Sequence, residues 1–396
     1  MNKKLFYDLV AKLGTPLLVI DHKKIREKYL EFKKRFPRVQ AYYAVKANSE
    51  PEIIETLYRL GASFDVASLP EFNLVFNLVK SLEPKALQNF IWNNIIYANP
   101  IKRKDSLHAL NLYKPLMTYD SIEEMRKIKI HCPDAGLLLR IKISDEGSVV
   151  KFANKFGADP EIAANLIEQT IKNGLGVEGI SFHAGSQCTN AQNFIDALRT
   201  VADIFAKVEK KGLIIGETVT TGHPVRIVDI GGGFPAQYGG DNQFFEKLTN
   251  VINKELNNFF PKENTAIIAE PGRFIVASSG TAISSVILAK HSNKMPSYHI
   301  DDGVYHTFSA IIYDHFEPDL KSFKSGAKFK SKVFGPTCDG LDELSENSYI
   351  HNSKDALLPK LEDGDLIYQE NIGAYSNASS TNFNGFSPAK IIHINR

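Results

Sequence analysis

Eight short apolar runs recur through the first two thirds of this chain, each followed by a stretch long enough for a helix. They fall at residues 41–45, 63–66, 95–98, 116–119, 137–141, 177–182, 225–230 and 265–269. Runs of this length, rich in Ile, Val, Leu, Phe and Tyr, are typical of parallel strands buried on both faces. The spacers carry helix punctuation: Ser68-Leu-Pro-Glu71 and Ser121-Ile-Glu-Glu124 have the capping-box spacing, and Pro51, Pro70 and Pro160 sit where a first helical turn accepts proline. Strands joined through helices pair in parallel by right-handed crossovers. Eight such units in about 250 residues predict a (β/α)₈ barrel over 22–279. A doubly wound open sheet stays open as the alternative, because periodicity cannot prove that a sheet closes.

From about Gly280 the texture changes. Strand-like runs at 281–289, 297–301, 330–334, 365–368 and 390–394 are separated by stretches rich in Gly, Ser, Asn and Pro. These predict a mostly antiparallel β domain over 280–396, joined by residues 1–21 with their own strand at 17–20. A net charge of +2 over 396 residues gives no field that would favour nucleic acid or a membrane surface. The basic clusters at 102–104 and 321–332 read as solvated faces. At the N-terminus, Asp8 and Lys12 interrupt the apolar run, and Leu5, Leu9 and Leu13 share a helical face, so a helix is expected rather than a leader. No run reaches the length of a membrane span. Cys132, Cys188 and Cys338 are odd in number and without metal-ligand spacing, so reduced thiols, no metal and a cytoplasmic location are expected.

In a (β/α)₈ barrel the active site lies at the C-terminal ends of the strands. The runs end at Lys46, Asp65, Arg140, His183, Gly231-Gly232-Gly233 and Glu270. A lysine partly desolvated at a barrel mouth is a good amine nucleophile toward an aldehyde cofactor. Glycines after the seventh strand, with Gly272 and Arg273 after the eighth, make a phosphate cradle. The spacing matches neither a dinucleotide fingerprint nor a P-loop. Glu270 against a pyridine nitrogen would keep the ring protonated and electron-withdrawing. His183 could be a satisfied core histidine or a flat surface for a ring, and Ser186 could add a phosphate hydrogen bond.

The motifs Tyr-Ala-Val-Lys46, Phe-Asp65-Val-Ala-Ser, Ser-Phe-His183-Ala-Gly-Ser186, Asp-Ile-Gly-Gly-Gly-Phe-Pro and Ala-Glu270-Pro-Gly-Arg273 occur in that order. They continue with Tyr313-Asp314-His315, Gly-Pro-Thr-Cys338-Asp339-Gly-Leu-Asp342 and Glu-Asn-Ile-Gly-Ala-Tyr375. Together they resemble the fold type III pyridoxal 5′-phosphate (PLP) decarboxylases over nearly the whole chain. The resemblance implies PLP as a Schiff base on Lys46, with Glu270 at the ring nitrogen and His183 stacked on the ring. It implies phosphate contacts from Ser186, the 231–233 glycines, Gly272, Arg273 and Tyr375, with Asp65 and Arg140 beside the cofactor. Glu71 is implied near the site too, although its capping position explains it equally well. Cys338, as proton donor to the substrate carbon, and Asp339, toward its distal amine, are implied to enter from a second subunit. The implied homodimer includes a Lys155–Asp342 salt bridge.

Within this family Cys-Asp339-Gly and Tyr313-Asp314-His315 resemble the ornithine-type segments. Tyr313, Asp314, Asp339 and Phe383 are the expected substrate contacts. Two aspartates would attract a distal ammonium and repel a distal carboxylate. L-Ornithine, giving putrescine, is therefore the expected substrate, with L-lysine, giving cadaverine, a second. Diaminopimelate, arginine and carboxynorspermidine remain alternatives. So do an alanine racemase activity, an inactive regulatory homologue and a barrel without cofactor; the first two fit Glu270, Lys46 and Cys338 poorly.

Overall fold

The computed structural model describes residues 3–151, 154–216, 225–236, 243–260, 264–292, 295–345 and 355–396. After a helix at Lys3–Leu13, the strands are β1 (Leu17–Asp21), β2 (Val39–Ala44), β3 (Ser63–Val66), β4 (Ile95–Tyr97) and β5 (Leu116–Tyr119). They continue as β6 (Gly136–Arg140), β7 (Gly176–Ser181), β8 (Arg226–Asp229) and β9 (Thr265–Ala269). The C-terminal strands are β10 (Gly280–Lys290), β11 (Ser297–Ile300), β12 (Lys321–Ser322), β13 (Lys328–Phe334), β14 (Ala356–Pro359), β15 (Leu366–Glu370) and β16 (Lys390–Ile394).

Strands β2 to β9 form a closed parallel barrel, in which β9 returns to β2 through Val39↔Ile267 and Ala41↔Ala269. Closure removes the open-sheet alternative. The chain divides into two compact units, Arg26–Ile275 and Met1–Ile25 with Val276–Arg396. In the second unit β1 lies between β10 and β16, antiparallel to the first and parallel to the second. The remaining ladder, β12-β15-β10-β11-β13-β14, is antiparallel except at β11–β13.

Local sequence explains the helices that frame the barrel. Pro51, Pro70 and Pro160 each occupy a first helical turn, where a missing N–H leaves no bond unmade. The Ser68 and Ser121 hydroxyls accept from the Glu71 and Glu124 N–H groups, at 3.3 and 3.4 Å. The glutamate halves of both expected boxes are diverted. Glu71 accepts instead from Ala67 N at 2.7 Å, and Glu124 from Lys102 N at 3.1 Å.

That second diversion corrects the reading of residue 102 as part of a solvated face. Lys102 is buried, with Nζ 3.2 Å from the Glu124 carboxylate and 2.6 Å from Thr118 O. Burial draws its pKa down to about 8, against the pull of Glu124. The cluster at 321–332 does face solvent, with its lysines paired to Asp319, Asp365, Asp355 and Glu343. Among the described residues no helix is long and apolar enough to cross a membrane.

Candidate active site

Side chains alternate along a strand, so every second residue of a barrel strand points inward. Tyr42, Ile96, Leu116, Leu138 and Ile268, with Ile227 against them, come from six strands and form one apolar cluster, which only the barrel interior allows. Two residues further along, the same inward faces carry Arg140, Asp229 and Glu270. Asp65, on β3, pairs with Ile96 of β4 and so shares the inward face, where its carboxylate meets Lys46. The lower barrel is hydrocarbon and its C-terminal mouth is polar.

Lys46 is not the last residue of its strand. β2 stops at Ala44, and Val45–Ala47 forms a single 3-10 turn. The turn carries the Lys46 side chain to Asp65, with Nζ 2.5 Å from Oδ2. The other Asp65 oxygen, Oδ1, is buried with no hydrogen-bond partner among the described residues. Glu71 lies nearby: burial pushes its carboxyl up, Asp65 adds to this, and the bond from Ala67 and the Lys46 charge oppose it. Arg140 is largely desolvated, and its guanidinium lies over the Phe156 ring at 5.0 Å. Burial lowers its pKa, while Glu270, Asp120, Asp229 and Asp65 act in the opposite sense.

His183 follows β7 in the mouth. Burial, then the Arg140 and Lys46 charges, hold its pKa well below the ordinary value, so the ring is neutral at pH 7. Its Nδ1 accepts from Gly185 N at 3.1 Å, which puts the remaining ring proton on Nε2. A neutral imidazole is the form suited to lie against a ring.

A cradle opens beside it. The Arg273 guanidinium reaches Ser186 Oγ from Nε at 3.3 Å and Nη2 at 3.1 Å. Gly233 has φ +88°, and a Cβ there would sit 2.0 Å from Gly185 O. Gly231 has φ +64°, and its Cβ would strike Phe182 O at 2.1 Å. A Cβ on Gly232 would crowd Glu270 O, and one on Gly272 would meet Ala47 and Ala44. Glycine is thus required to bring this loop against the strand ends. Lys46, an orphaned buried carboxylate oxygen, a neutral imidazole and a guanidinium–hydroxyl cradle match the aldehyde, ring and phosphate of PLP. The residues fit the group.

The remaining expected residues belong to the C-terminal unit. Cys338 is exposed, and one amide oxygen, Asn384 Oδ1, accepts from both its N–H at 3.2 Å and its thiol at 3.5 Å. Asp339 accepts from Leu341 N at 2.8 Å and is hydrogen-bonded to Tyr305. The Tyr305 ring stacks on Phe383 at 4.3 Å. Tyr313 is exposed, Asp314 follows it, and Tyr375 adopts φ +54°. Asp342, expected at a subunit interface, is buried and already accepts from Val304 N, Thr337 N and Thr337 Oγ1. It shapes the loop that carries Cys338. Its expected partner Lys155 is exposed, with Nζ 5.0 Å from the Phe156 ring centre.

Asp229, Asn384 and Tyr305, the ring stacked on Phe383, escaped the sequence reading. Asp229 precedes the glycine loop and was passed over for the glycines, although its two-residue offset from Ile227 marks it as inward. Asn384 lies in an irregular segment where no periodicity points to it.

Residues 22–277 match the family described as pyridoxal-dependent decarboxylase, pyridoxal binding domain. Ornithine decarboxylase of Caenorhabditis elegans is 36% identical over 392 residues, covering 93% of this chain and 85% of that protein. Antizyme inhibitor 2 of Xenopus laevis is 34% identical, covering 94% of this chain and 79% of its own length. The crystal structure of lysine/ornithine decarboxylase from Vibrio vulnificus, complexed with putrescine, superimposes with a TM-score of 0.85 at 32% identity, covering 99% of this chain and 98% of the other. A matching domain, a matching fold and a mouth built for PLP converge: the chain belongs to the pyridoxal-dependent decarboxylase family, lyases that work with PLP.

Proposed function

We propose that the chain decarboxylates a basic L-diamino acid, L-ornithine to putrescine first and L-lysine to cadaverine second, as a homodimer. The observation that carries the reading is the acidic and aromatic cluster around an exposed thiol: Cys338, Asp339, Tyr305 and Phe383. It offers a proton donor, an anion for a distal ammonium and flat walls for a methylene chain. Relatives named for ornithine and for lysine support a basic amino acid as substrate.

When bound, PLP supplies an aldehyde for the substrate amine and a ring that accepts the electron pair left as carbon dioxide departs. Lys46 would hold the cofactor at its aldehyde carbon and give it up to the substrate amine. Glu270 would hold a proton at the ring nitrogen. His183 would cover one ring face, while Asp65 and Arg140 border the reacting end. Ser186, Gly233, Gly272 and Arg273 would hold the phosphate, with Tyr375 joining them by family likeness. Cys338 from the neighbouring subunit would return a proton to the substrate α-carbon. Asp339 and Asp314 would receive the distal ammonium, and Tyr313 and Phe383 would flank the chain. A thiol exposed on its own chain is what a shared site requires, and the Lys155–Asp342 pair would add to the interface.

The test is release of carbon dioxide and amine from ornithine, lysine, arginine and diaminopimelate with PLP present. Turnover of ornithine, then lysine, supports the proposal. Turnover of diaminopimelate alone overturns the substrate assignment. Cofactor binding without any turnover identifies a regulatory homologue, like the antizyme inhibitor it resembles.

A further inference from the structure

Asp229 has no part in the reading above, yet it is fully buried in the polar mouth beside Glu270. Its Oδ1 accepts from Gly231 N at 2.8 Å. Its Oδ2 is buried with no N–H or O–H donor among the described residues. Its carboxyl is instead hydrogen-bonded to that of Glu270. Backbone bonds fix the pair: Ile230 N to Ile268 O at 3.0 Å, and Glu270 N to Gly231 O at 2.7 Å.

Two ionised carboxylates are both acceptors and cannot bond to each other. Buried together they would also carry desolvation and repulsion. One shared proton turns the same contact into a charge-assisted O–H···O⁻ bond. The Gly231 N–H favours the charged form of Asp229, so without cofactor the proton rests on Glu270. The surroundings act in the same sense. Burial pushes both carboxyls up, Asp229 to about 7; Asp65 adds to this in both, while Arg140 opposes it at Asp229 and Lys46 at Glu270. Tyr42 also faces Asp229, whose charge adds to the burial that raises the phenol.

We propose that Asp229 is a positioning residue that shares one proton with Glu270 and holds that proton when the cofactor is in place. Glu270 would meet the N–H of a protonated ring if the cofactor were bound here. To receive it Glu270 must be ionised, so the Glu270 O–H bond breaks and an Asp229 Oδ2–H bond forms. No proton leaves the barrel. Glu270 then accepts from the ring on one side and from Asp229 on the other, held in place between them. The inference rests on the PLP-binding reading of this mouth.

The experiment is infrared spectroscopy of the full chain at pH 7, with and without PLP, in light and heavy water. Visible absorbance reports cofactor loading independently. The expected result is an un-ionised carboxyl C=O band in the cofactor-free chain that shifts on loading but persists, and is lost from the loaded Asp229→Asn chain, where Glu270 is ionised and no second carboxyl can hold the proton. Should Asp229→Asn fail to fold, Glu270→Gln should abolish the loading-induced shift, because no partner carboxyl remains to hand the proton over. Asp302, which burial also raises to about 7, contributes a band insensitive to loading and is subtracted with Asp302→Asn. Absence of a loading-sensitive band, its disappearance on loading, its persistence in loaded Asp229→Asn, or an unchanged loading shift in Glu270→Gln overturns the proposal. Failure of the unmodified chain to load PLP overturns the cofactor reading instead.

Discussion

The barrel mouth and the loop around Cys338 hold similar groups in opposite settings. In the mouth, Asp65, Asp229, Arg140 and His183 are withdrawn from water and joined by bonds within one unit. Around Cys338, the thiol, Asp339 and Phe383 are exposed, with side-chain contacts to Asn384, Leu341 and Tyr305. Closed backbone ladders can support the burial of charge, because each strand end is fixed by two neighbours. An irregular loop cannot, so its chemistry needs cover from elsewhere. The first site joins its groups within one unit; the second leaves its thiol and carboxylate open to solvent.

Breaking the first site should have the largest effect. Lys46→Ala is expected to abolish the visible absorbance of attached cofactor and lower kcat by about 10³-fold or more, as loss of a covalent nucleophile does. Retained absorbance would place the attachment elsewhere. Arg273→Lys keeps the charge but loses the planar fork. It should weaken PLP binding about ten- to hundredfold, the equivalent of one charge-assisted hydrogen bond of about 1.5–3 kcal/mol. Fluorescence titration measures this, and an unchanged Kd would remove Arg273 from the cradle.

The contrast itself is tested by mixing. Cys338→Ala should leave cofactor absorbance unchanged while lowering turnover. Inactive Lys46→Ala and Cys338→Ala chains, exchanged at equal amounts, should recover about a quarter of the activity, since half the random dimers rebuild one site. No recovery, with exchange verified, means that each site is built from a single chain.

The smallest effect concerns stability. The folded-state pKa of Asp302 is raised by burial to about 7, above the ordinary 3.8. The folded chain therefore holds this proton between about pH 4 and 7 while the unfolded chain releases it. Stability from this group is greatest at low pH and falls as pH rises through that window. Asp302→Asn should flatten the slope there, read as denaturation midpoint against pH.

The parallel strands were legible because buried strands leave dense apolar runs, and the placement of polar groups after those runs announced the mouth. Boundaries slipped by one or two residues where side chains at strand ends still face a core; Gly136 and Gly176, the first residues of β6 and β7, carry no apolar signal. Strands β12 and β14 went unread because two- and four-residue pieces among lysines and prolines show no period.

By itself, the sequence determined the alternation of strand and helix, the chemical identity of each strand-end residue and the glycines that a close loop demands. These follow from local periodicity and residue type, which a linear chain displays. Only the tertiary structure decided that the sheet closes, that Lys102 is buried on Glu124 and that Lys46 reaches Asp65 from a turn. It alone set Asp229 against Glu270. Such facts depend on which residues, distant along the chain, lose water together, and desolvation is a property of the folded neighbourhood rather than of the residue.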